Sequence, residues 1–122
     1  MTYKIINPES INKSMMGNPK MVKQFIEMYI EQSPLDFEAL TQSLTNNDKT
    51  AIRDSAHHIK PTMEYIGASK LRAAFQELEN MGRDGIEIET IRIKFEEIRS
   101  DFDLMITELK SFTIENEKHI KD

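Results

Sequence analysis

The chain has 122 residues, the length of one ordinary domain, so a single continuous core over 1–122 is expected and a second independent unit is not. Its 16 Lys and Arg against 21 Asp and Glu give a formal charge of -5, which opposes non-specific attraction to phosphate backbones and excludes nucleic acid as the expected partner. The absence of cysteine excludes disulfides, thiolate zinc sites and thiol nucleophiles and fits a reducing, cytoplasmic setting. No apolar run reaches the length of a membrane span, and none near the N-terminus has the form of a signal peptide.

The breaks in the chain are marked by few residues. Asn7-Pro8-Glu9 is a helix-start signal, and the segment carrying Ile11, Met15 and Met16 should stop at Gly17. Asn18-Pro19 repeats that signal. Val22, Phe25, Ile26, Tyr29 and Ile30 then keep a helical stripe, which Leu40 and Leu44 resume beyond Ser33-Pro34, where a kink or restart is expected. Thr45 to Asp48 is a turn with a capping residue. Beyond it Ile52, Ala56, Ile59, Met63 and Ile66 recur at steps of four and three and predict a third amphipathic helix ending at Gly67. Ser69 is suited to cap a fourth helix bearing Leu71, Ala74, Phe75, Leu78 and Met81, with Gly82 as its stop. Ile91, Phe95, Ile98, Phe102, Met105, Leu109 and Phe112 define the last helix, beyond which the polar sequence is expected to fray.

Strand-like alternation is confined to Ile86-Glu87-Ile88-Glu89, too short to build a sheet. The expected class is therefore all-α: an antiparallel four-helix bundle with a short N-terminal capping helix, the helices spanning roughly 8–16, 19–45, 48–66, 69–81 and 88–115. The eight methionines read as flexible core fillers, and a monomer is expected because no second apolar stripe stands out.

Helical phase picks out one residue. At 100° per residue the apolar set of the third helix points in one direction. Measured from it, His57 lies near 140°, with Arg53 near 100°, Lys60 near 80°, Glu64 near 120° and Pro61 near 180°. His57 therefore faces solvent, whereas His58 falls on the opposite flank near -120°. An exposed imidazole with the ordinary pKa of about 6.5 has a neutral nitrogen available as a nucleophile near neutral pH. Lys60, one turn along, can approach a phosphate on that nitrogen as a point charge.

His57-His58-Ile59-Lys60, followed by Ile66-Gly67-Ala68 and Leu71, resembles the histidine phosphotransfer (HPt) domain pattern of His-x-hydrophobic-Lys-small with a later hydrophobic-Gly. The resemblance extends to the order of helices along nearly the whole chain. It implies that His57 is phosphorylated, that Lys60 supports the phosphate, and that the protein is a phosphorelay carrier without kinase activity. The implied partners are receiver domains of hybrid sensor kinases and response regulators, which bring their own phosphoaspartate and Mg2+, so that no intrinsic cofactor is needed. Pro61 stands where many members have glycine; it removes an N–H that would bond the His57 carbonyl and predicts a local kink or a freed carbonyl. Thr62 stands where a small hydroxyl is frequent, and could equally bond back to the His58 carbonyl. Arg53 and Glu64 are candidates for orienting the partner, and Gln76, Glu79 and Arg83 for reaching the imidazole from the neighbouring helix.

Two other readings compete. Asp54 with His57 or His58 could supply two metal ligands from one helix, although His119 in the polar tail is the only further histidine. The chain could also be a non-catalytic interaction bundle. Nothing supplies a nucleotide site, since no Gly-rich phosphate loop is present.

Overall fold

The computed structural model describes residues 2–120 and contains five helices: α1 (Pro8–Ser14), α2 (Pro19–Thr45), α3 (Lys49–Tyr65), α4 (Ser69–Arg83) and α5 (Ile88–Glu117). Each of the first three begins on a side chain that satisfies orphan N–H groups. Asn7 accepts from the amides of Glu9 and Ser10, Asn18 from Lys20 and Met21, and Asp48 from Ala51. Pro8 and Pro19 occupy first-turn positions, where a missing N–H costs nothing.

α2 packs on α3 and α5, and α4 packs on the same two helices, so the order around the four-helix bundle is α2, α3, α4, α5. α1 touches α2 and α3 at one end. The apolar stripes read from the sequence of α3 and α5 are buried throughout, and the buried apolar residues form one continuous cluster. Phe37 stacks on Phe102 at 4.2 Å and on Phe95 at 5.1 Å, and the Arg99 guanidinium covers the Phe95 ring at 5.0 Å.

Several boundaries differ from the sequence expectation. α1 stops at Ser14, because Met16 and Gly17 both adopt positive φ. α2 runs through Pro34 without restarting. The ring lies on the exposed face, while Ser33, far from capping a new helix, is buried within the old one. Phe25 lies at the rim rather than in the core, and with exposed Met28 and Leu35 it forms a second apolar stripe that the sequence reading did not anticipate. Met16 and Met28 are likewise exposed, so not every methionine fills the core. α4 begins from buried Ala68 with no side-chain cap, and Ser69 is its first helical residue. α5 continues past Phe112 to Glu117, because Asn116 is buried and donates to the Pro19 carbonyl at 3.0 Å.

The N-terminal segment is tied down by a buried carboxylate. Glu108 of α5 accepts the backbone N–H groups of Lys4, Ile5 and Ile6 at 2.8, 2.9 and 3.0 Å. Burial of a charge is tolerated where several donors converge on it. Alongside, the Tyr3 hydroxyl donates to Glu115 at 2.8 Å. Burial, with the bond and charge of Glu115 and the charge of Glu108, pushes this phenol up to about 12. Asn7 N–H then bonds the Ile66 carbonyl at 2.9 Å, tying this segment to the end of α3.

Two glycines set helix positions. Gly67 has φ +70, and a Cβ there would lie 2.5 Å from the Asn7 Cβ, so only glycine lets α3 end where α1 begins. Gly82, expected to stop α4, instead lies inside it and is buried against α3. A Cβ at Gly82 would lie 2.7 Å from the Lys49 carbonyl oxygen and 3.0 Å from the Arg53 nitrogen, both backbone atoms of α3. The turn out of α4 falls at Gly85 instead, with φ +68. Gly82→Ala should therefore lower stability by about 1–3 kcal/mol through helix separation, despite a helix-propensity gain of about 1 kcal/mol. Urea unfolding measures the sign; a stabilised variant would show that α3 and α4 part freely.

Candidate functional site

α3 and α4 are joined by the three residues 66–68, so they form an antiparallel hairpin of helices. Each turn up α3 is matched by a turn down α4. Glu64 meets Arg72, Lys60 meets Gln76 and Glu79, His57 meets Glu79, and Arg53 lies against Gly82.

His57 is the outermost member, with its side chain 73% exposed, and its Nδ1 lies 2.5 Å from Glu79 Oε1. The second Glu79 oxygen accepts from Lys60 Nζ at 2.9 Å and from Gln76 Nε2 at 2.7 Å. Lys60 also donates to Gln76 Oε1 at 2.6 Å, and Gln76 Nε2 donates to Asn80 at 2.9 Å. Burial works to raise the Glu79 carboxyl. The hydrogen bonds from Lys60, Gln76 and His57, with the Lys60 charge, outweigh it and hold the group below its ordinary value.

The tautomer of His57 follows from this network. An ionised carboxylate only accepts hydrogen bonds, so the ring nitrogen facing it must carry the proton. With Nδ1–H donating to Glu79, Nε2 is the lone-pair nitrogen and sits on the exposed side of the ring. The arrangement holds a neutral nucleophile outward and a carboxylate behind it.

The other expected residues divide clearly. Gln76 and Glu79 do reach the α3 site; Arg83 pairs with its neighbour Asp84 at 3.0 Å rather than with the imidazole. Arg53 likewise pairs with Asp54 at 3.0 Å, and Glu64 with Arg72 at 3.4 Å. Lys60, expected on the surface, is only 13% exposed because it lies across α4. Thr62 is half-buried and makes no bond to the His58 carbonyl among the described residues. Gly67 lies ten residues beyond His57, about 15 Å along the helix, and serves the fold rather than the site.

Pro61 is exposed and α3 does not break at it. It lines a groove of about 210 Å³ together with His57, Lys60, Glu64, Tyr65 and Arg72. Arg72 and Tyr65 were not singled out by sequence. The α4 spacing of Arg72, Gln76, Glu79 and Arg83, set antiparallel to Glu64, Lys60, His57 and Arg53, is the signal that could have found the arginine.

The metal reading loses its geometry. Asp54 is engaged by Arg53, and His58, 72% exposed, lies 3.6 Å from Asp36 of α2. Among the described residues no three His, Asp or Glu side chains are grouped to hold an ion, and His119 is exposed on the far C-terminal turn. No described helix is long and apolar enough to cross a membrane.

Because folding lowers the Glu79 pKa, the folded state releases its proton more readily. The resulting stabilisation is complete above the unfolded value near 4.5 and is lost as pH falls through the lowered folded value. Glu79→Gln should thus be less stable than the parent at neutral pH, and the gap in denaturation midpoint should close below about pH 4. A gap that persists at about pH 2 would contradict this origin.

No curated protein and no solved structure matches the chain. The family model described as Hpt domain matches residues 24–112, from the middle of α2 to the late part of α5, and so includes His57, Lys60 and the α4 residues that support them. With the all-helical architecture, that match over well more than half the sequence assigns the chain to the Hpt domain family, whose members carry out histidine phosphotransfer in two-component signalling.

Proposed function

We propose that the protein is a phosphorelay intermediate that accepts a phosphoryl group on His57 Nε2 from a receiver-domain phosphoaspartate and returns it to another receiver. The observation that carries this reading is the Nδ1–Glu79 contact, which leaves the exposed nitrogen as the nucleophile.

In the forward step the Nε2 lone pair attacks phosphorus, the N–P bond forms, and the P–O bond to the aspartyl carboxylate breaks. The aspartate leaves as its anion. Nδ1 keeps its proton throughout, so the phosphorylated ring carries a positive charge, and Glu79 lies 2.5 Å from where that charge resides. In the reverse step the ring leaves as neutral imidazole with its proton still on Nδ1. Lys60 holds the carboxylate in place and presents positive charge on the side where phosphate develops. The divalent ion that assists the chemistry belongs to the receiver, together with its lysine.

The surface beside His57 suits a protein partner. Phe25, Met28 and Leu35 expose an apolar stripe on α2, and Asp36 next to it lies 3.6 Å from His58, the chain neighbour of His57. An apolar rim helps exclude water from an in-line transfer.

Incubation with a phosphorylated receiver should place acid-labile, base-stable phosphate on the protein. His57→Gln should abolish labelling, and Lys60→Ala should slow it about tenfold while the helices persist. Undiminished labelling of His57→Gln would overturn the assignment.

A further inference from the structure

We propose that Arg72 is a second phosphoryl-binding cation, which leaves Glu64 and moves to the phosphate when His57 is modified; this rests on His57 being the phosphoryl carrier. Lys60 cannot neutralise that phosphate alone. Its charge is already matched by Glu79 at 2.9 Å, and its ammonium is shared with Gln76 at 2.6 Å. A phosphoryl group brings two negative charges and leaves one positive charge on the ring, so phosphorylation adds net negative charge to a groove whose own charges balance.

Arg72 is the remaining cation in that groove, which holds His57 and Lys60 on the α3 side and measures about 210 Å³. Its present partner is weak. The Arg72–Glu64 contact is a single one at 3.4 Å between side chains 45% and 68% exposed, the class of ion pair that contributes little. A dianionic phosphate is a better partner for a guanidinium, which can present two parallel N–H donors to it. Pro61 lies between the two in the same groove and offers no long side chain to obstruct the move. The neighbouring arginines are differently placed: Arg53 and Arg83 do not line the groove and are held by Asp54 and Asp84.

The charged and titratable groups around the phosphate would be Lys60, Glu64 and Tyr65 from α3, with Arg72 and Glu79 from α4. The test uses the full chain and phosphoramidate as donor, so that no receiver is needed. Nε2 displaces ammonia from phosphorus, and the ring proton stays on Nδ1. Phosphorus NMR then follows the titration of the phosphoryl group on the protein.

Arg72→Gln should raise the titration midpoint by about half a unit, because a nearby cation favours the dianion. Arg72→Lys should restore most of that shift, and Glu64→Gln, which frees the arginine, should move the midpoint down. Equal midpoints in the parent and Arg72→Gln, with the label in place, would overturn the role of Arg72. Absence of a phosphohistidine signal in the parent itself would instead overturn His57 as carrier. Circular dichroism checks folding of each variant, and a merely structural role for Arg72 would leave the phosphorus titration unmoved.

Discussion

Two helix backbones meet at Gly82, and the register of that contact decides which side chains face each other across the functional surface. A Cβ at this position would sit 2.7 Å from a carbonyl oxygen of α3, so the spacing between α3 and α4 is set by the absence of a side chain. Close approach brings the rims of the two helices within reach of single hydrogen bonds. Glu79 can then span from His57 to Lys60, two residues that lie one turn apart on the facing helix. A wider spacing would leave the same residues as separate solvated charges, and the imidazole would lose the contact that fixes its tautomer.

The consequence is a division of labour among charges. Glu79 is mostly buried and stays ionised because three donors converge on it. Lys60 is correspondingly engaged, so its contribution to a phosphate is made from a fixed position rather than by a free ammonium. His57 alone remains largely exposed. A rigid network behind a single protruding nucleophile favours a carrier, because the phosphoryl group must be reachable from outside yet oriented from within.

Much of this was legible in the sequence. The steps of four and three in α3 and α5 gave the buried faces correctly, because both helices are amphipathic and pack as single stripes. The same phase calculation placed His57 outward, while the spacing to Lys60 supplied the family resemblance. It failed at residues whose environment depends on a neighbour: Gly82 reads as a stop in one helix and as a contact in a pair of helices. Ser33-Pro34 reads as a new start until the rest of the α2 stripe shows that Phe37 and Leu40 must stay in register with Ile26. Phase also predicted a surface position for Lys60, since it describes one helix at a time and α4 covers that edge. Arg72 was missed for the same reason.

Pro61 joins these levels. Its missing N–H frees the His57 carbonyl from one intrahelical bond, yet α3 persists because Ile59 and Met63 on either side are buried in the core and hold the turn in place. Facing solvent, the ring leaves that carbonyl accessible to water. Replacement of the small residue common at this position therefore need not close the surface to a partner: proline adds a compact ring where most side chains would add length and conformational freedom. What glycine achieves by lacking a side chain, proline approaches by having one that cannot reach across the groove toward His57.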